Sequence, residues 1–144
     1  MIGLLATMNP TNICRTQPDH PDARLRSRRY AQTLSVVTDK TVALIPTLHC
    51  WARPWKIIGV PRTAPQGDAS NVDDGTVISD NTIIHAEVPV LFFTDDLTVT
   101  LIAEGGDTRV DVRSASRVGR SDLGENRRHV YQLLHALDKK FGAR

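Results

Sequence analysis

The chain is short of several things, and each shortage removes a class of protein. It has only two cysteines in 144 residues, Cys14 and Cys50, which is too few for a disulfide scaffold. No apolar run approaches the roughly 20 residues of a membrane-spanning helix. Net charge is +2, too weak for the basic footprint of a nucleic-acid binder. No Gly-x-Ser-x-Gly elbow appears. The five histidines, at 20, 49, 85, 129 and 135, have no metal-ligand spacing. Met1 to Met8 are mildly apolar but lack a basic leader and are too short for a secretory core, which favours a cytoplasmic location. Asn71-Val-Asp73-Asp74-Gly75 lacks the remaining ligands of a calcium loop. The motifs call for no metal and no cofactor.

What remains is ordinary globular material. The chain is 40% hydrophobic and 24% charged, at a length that suits one domain. The charge is uneven. Residues 109–144 hold nine basic and four acidic residues, a net of +5, against −3 for residues 1–108. Internal pairing or an anion-facing C-terminal third follows from that asymmetry.

Residues 9–28 are rich in Pro, Asp, Asn and Arg without period, so that 1–28 read as an extended, surface-bound N-terminal arm. A single domain over 29–141 is expected after it. Residues 29–34 suit a first strand. Thr38-Asp39 reads as a helix start, with Pro46 kinking or splitting that helix. Trp55 to Val60 is rich in aromatic and β-branched residues and reads as a strand. Residues 61–81, with Pro61, Pro65, Gly67, Gly75 and many Asp and Asn, read as a loop insertion.

The alternation in Thr82–Val88, Leu97–Leu101 and Arg109–Arg113 predicts strands, the last two joined by a hairpin turn at Gly105-Gly106-Asp107. Leu123, Val130, Leu134, Leu137 and Phe141 predict a helix over about 122–140, stopped by Gly142. This order predicts an α+β two-layer sandwich. A mainly antiparallel sheet carries the kinked N-terminal helix and the long C-terminal helix on one face. The helices should cover Leu97, Val99, Leu101, Val110 and Val112. His85, Glu87, Thr98, Thr100, Arg109, Asp111 and Arg113 should face water or a polar partner.

Between 111 and 127 hydroxyls, guanidiniums, glycines and carboxylates crowd together. Arg113-Ser114-Ala115-Ser116-Arg117-Val118-Gly119, then Ser121-Asp122-Leu123-Gly124 and Asn126-Arg127, resemble the signature of the family called domain of unknown function 1499. Phe93-Thr94-Asp95-Asp96 resembles the Asp-Asp turn that precedes that signature. The resemblance covers about residues 29–141. Where the family pattern ends in a further Arg before an apolar residue, this chain has His129 before Val130. The resemblance implies an intact domain and brings no activity with it.

The favoured reading of this cluster is structural. A helical wheel started at Leu123 turns Asn126 and Arg127 toward the sheet. There Arg127 would need Asp95 or Asp96 as partner, with Asp122 capping the helix. The functional reading uses Arg113, Ser114, Ser116, Arg117, Arg120 and Ser121 around the helix start to hold a small anion. The chain is therefore expected to be a non-catalytic binding or scaffold domain, its partner a small anion or another protein. The alternative is a small enzyme working on the open sheet face through His85, Glu87 and Asp111.

Overall fold

The structure, a computed structural model, describes residues 13–50, 53–60, 81–90, 93–117 and 125–142. Its frame is a six-stranded antiparallel sheet with two helices, an α+β fold. The strands are β1 (Ile13–Arg15), β2 (Arg28–Tyr30), β5 (Lys56–Gly59), β6 (Asn81–Val90), β7 (Phe93–Glu104) and β8 (Asp107–Ser116). A two-stranded ribbon, β3 (His49–Cys50) with β4 (Arg53–Pro54), stands apart. Spatial order is β1-β8-β7-β6-β5, and β2 also pairs with β8.

The centre is a β6-β7-β8 meander. Glu104 faces Asp107 across a two-residue turn, and Gly105 there has φ of 67°, a left-handed angle that glycine takes without strain. Alternation then sorts the side chains. Ile84, Ala86 and Val88 of β6, Leu97, Val99 and Leu101 of β7, and Val110 and Val112 of β8 are all buried on one face. His85, Thr98, Thr100, Asp111 and Arg113 keep solvent access on the other.

Helix α1 (Leu34–Leu44) packs on β6, β7 and β8, and α2 (Glu125–Phe141) on β8 and β1. Val130, Leu133, Leu134 and Leu137 give α2 a fully buried stripe. Gly142, at φ 79°, donates its N–H to the Asp138 carbonyl at 2.7 Å and closes the helix. Pro46 sits in a single 3-10 turn, Ile45–Thr47, that follows α1. The proline ends the α-helical hydrogen bonding there, as expected of a residue without an N–H.

Three local expectations need correction. The first strand ends at Tyr30, not residue 34. Helix α1 starts at Leu34, capped by Thr33, whose side chain accepts the Val36 N–H. Thr38, expected as the cap, is buried inside that helix. The early segment is also no loose arm over its described part. β1 pairs with β8, Leu25 lies in the core, and Thr16 N–H donates to the Val112 carbonyl at 2.9 Å. The insertion expected at 61–81 lies, apart from Asn81 in β6, outside the described residues.

Candidate functional site

The signature stretch does not form one cluster. β8 continues as extended chain to Ser116, so residues 111–116 alternate between the two sheet faces. Ser114 turns inward and is fully buried; Asp111 and Arg113 turn outward, and Arg117, just past the strand, reaches outer-face carboxylates. Two separate polar centres result.

The inner centre lies where β7 and β8 meet the first turns of α2. Ser114 Oγ donates to Asn126 Oδ1 at 2.6 Å, and Asn126 Nδ2 donates to Ser116 Oγ at 3.0 Å. Asn126 thus ties the start of the helix to the last strand with both ends of its amide. Asp95 shares the core face with Leu97 and Val99 and is only 2% exposed. Its Oδ2 lies 3.3 Å from His129 Nδ1, a close contact that is not a directed hydrogen bond. The Trp55 ring meets His129 edge-on, centroids 5.7 Å apart. A carboxylate in such a place needs an opposite partner, because its desolvation costs several kcal/mol.

That partner was expected to be Arg127. The structure corrects this: Arg127 is exposed on α2, and His129 faces Asp95 instead. Asp96 points to the outer face. There Arg117 binds it through Nε at 3.1 Å and Nη2 at 2.9 Å, and also reaches Glu87 at 2.5 Å. Asp96 first and Glu87 second raise the Arg117 guanidinium above its ordinary value. Of the residues expected to surround an anion, Ser114 and Ser116 are engaged with Asn126, and Arg117 with two carboxylates. Arg120, Ser121 and Asp122 lie outside the described residues.

The outer centre lies on the open face that the sequence had offered to a polar partner, but Arg15 was not read as part of it. Register places Arg15 of β1 directly opposite Arg113 of β8, then Thr98 of β7 and His85 of β6 in the same row. Like charges placed opposite each other on adjacent strands repel. Neither arginine has a carboxylate partner among the described residues. Both line an open pocket of about 230 Å³ on the outer face, together with Thr98, Thr100, Arg109 and Asp111.

The rows on either side hold at least as many acids as bases. On one flank Lys56 and Arg117 stand with Glu87 and Asp96. On the other, Arg29 and Arg109 stand with Glu104, Asp107 and Asp111. The Arg15–Arg113 row alone carries unmatched positive charge among the described outer-face rows.

Asp111 is a fixed post beside this row. Its Oδ1 accepts from Thr16 Oγ1 at 2.6 Å and from the Ser27 hydroxyl, and its Oδ2 from Arg109 Nε at 3.1 Å. It holds the segment bearing Arg15 against the sheet. Glu87 is likewise held by Arg117, and His85 is exposed. The three residues considered for acid–base work thus stand in different surroundings.

The same early segment is clamped to α2. Asp22 accepts from Tyr131 at 2.6 Å and from Arg24, and these bonds hold its carboxyl well below the usual carboxylate range. The Arg24 guanidinium stacks 4.2 Å from the Tyr131 ring centroid. Asp138 accepts from Tyr30 at 2.7 Å and from Arg28 at 3.0 Å; burial and this carboxylate push the Tyr30 phenol far up.

Fold and site define a two-layer α+β domain with helices on one sheet face and a charged face on the other that no described helix covers. No described cluster of His, Cys, Asp or Glu has the grouping of a metal centre, and no described helix is long and apolar enough to cross a membrane. The chain belongs to the family described as protein of unknown function (DUF1499), whose model matches residues 5–137. No curated protein and no solved structure matches it.

Proposed function

We propose that this is a non-catalytic binding domain whose ligand is a small anion, held on the open sheet face by Arg15 and Arg113. The observation that carries this reading is their direct opposition across β1 and β8, inside a pocket and without a carboxylate of their own among the described residues. Two guanidiniums so placed repel when the pocket is empty and are both satisfied by one anion. Thr98 and Thr100 add hydroxyls beneath it. In this reading Ser114, Ser116, Asn126, Asp95 and His129 serve as structure: they fix the strand ends and the helix that set the spacing of the outer face. Of the residues first considered for the anion, Arg113 keeps that part, and Arg117 serves the flanking ion-pair network.

Calorimetric titration with inorganic phosphate, at ionic strength held constant with chloride, tests this. Saturable binding is expected in the parent chain and in Lys139→Gln, and its loss in Arg15→Gln and Arg113→Gln. Equal heats from all four proteins would overturn the reading.

A further inference from the structure

Resting on that reading, we infer that the ligand is a small phosphomonoester carrying hydroxyl groups, rather than a carboxylate or a bare inorganic ion. Charge is the first argument. Arg15 and Arg113 sit opposite each other on neighbouring strands, which brings their Cβ atoms to about 5 Å. A carboxylate brings one negative charge and leaves one guanidinium unmatched. A phosphomonoester brings close to two charges at pH 7 and three acceptor oxygens, enough for both forks.

Balance around the row is the second argument. Arg109, the third arginine at the pocket, is already committed to Asp111 and Glu104. Arg117 is committed to Asp96 and Glu87. The surplus is therefore two charges and not four, which matches one phosphoryl group and argues against a polyphosphate.

Size and lining are the third. The pocket's 230 Å³ equals about seven or eight water molecules' share of liquid volume. A phosphoryl group fills part of that and leaves room for a short organic portion. That remainder is lined by Thr98, Thr100, Thr16 and Gln17, with Pro18 and Val112 beside them. Such a lining offers polar partners to hydroxyls on a short carbon skeleton. Thr16 already spends its proton on Asp111, so Thr98 and Thr100 are the hydroxyls left to serve the ligand.

The experiment compares three probes by calorimetry at pH 7.5 and fixed ionic strength: glycerol 3-phosphate, inorganic phosphate and glycerate. Glycerol 3-phosphate should bind about tenfold or more tightly than either of the others, the margin of one good polar contact or one charge-assisted pair. Arg15→Gln and Arg113→Gln should each lose at least about tenfold toward glycerol 3-phosphate. Thr98→Val should lose more affinity for glycerol 3-phosphate than for inorganic phosphate. Unaltered melting temperatures of the variants would show that folding is not the cause. Glycerate binding as tightly as glycerol 3-phosphate would overturn the phosphomonoester inference. Inorganic phosphate binding as tightly would overturn the organic portion and leave an anion site. No saturation with any probe would overturn the anion reading itself.

Discussion

The inner and outer faces of β8 make the instructive comparison, because one run of seven residues builds both. Ser114 and Ser116 turn in and meet Asn126; Asp111 and Arg113 turn out, where Arg117 also pairs. Inside, Ser114, Ser116 and Asn126 are hydrogen-bonded across the strand–helix seam and Asp95 meets His129. Outside, the flanking rows are matched and the middle row is not. A dense polar stretch in a strand is thus two half-density stretches with different neighbours. The crowding seen along the chain says little until alternation divides it.

If the inner centre is structural, the largest loss should come from its buried charge. His129→Ala leaves the Asp95 carboxylate uncompensated in the core. The expected cost is roughly 3–5 kcal/mol, read as a lower urea midpoint with unchanged slope. A cost below about 1 kcal/mol would mean that Asp95 finds water or another partner there. Asn126→Ala should come next, near about 2 kcal/mol, since it unpairs the buried Ser114 hydroxyl and releases Ser116 together. The same unfolding curves measure it.

The sequence showed the frame of this comparison and hid its contents. The alternation of Leu97–Leu101 and Arg109–Arg113 is local, and so the meander, its Gly105 turn and the two faces were legible. Arg15 was not, because its partner lies 98 positions away and nothing in a three-residue strand announces that register. The Arg113–Ser116 run was read as the approach to a helix start, although its alternation continues the strand directly before it. Arg127 was misplaced because helical phase does not decide its side. Centred on the buried Val130, Leu133, Leu134 and Leu137, the wheel keeps Asn126 inside and leaves Arg127 and His129 near opposite margins of the stripe, and His129 is the one that packs against Asp95 and Trp55.

The clamp between the early segment and α2 sharpens the comparison through pH. Hydrogen bonds from Tyr131 and Arg24 depress the Asp22 carboxyl below its unfolded value of about 4. Its contribution is therefore complete above that pH and fades as pH falls through the depressed folded value. The melting-temperature gap between the parent and Asp22→Asn should be open at pH 6 and closing at pH 3. A gap constant over that range would show that Asp22 acts only through geometry its amide can copy. The smallest expected loss is at Arg127→Ala, within about 0.5 kcal/mol because the residue is exposed. A large loss there would return Arg127 to the seam and break the division between the faces.

The most direct test of that division is the thermal unfolding of the double variant Arg15→Gln with Arg113→Gln, without and with phosphate. If the outer row is built to hold an anion, its removal relieves a repulsion. The melting temperature without phosphate should then stay equal or rise, and the saturable, phosphate-dependent rise seen in the parent should vanish. A lower melting temperature without phosphate, with the phosphate-dependent rise retained, would contradict the account, because it would make the row a structural element and place anion binding elsewhere.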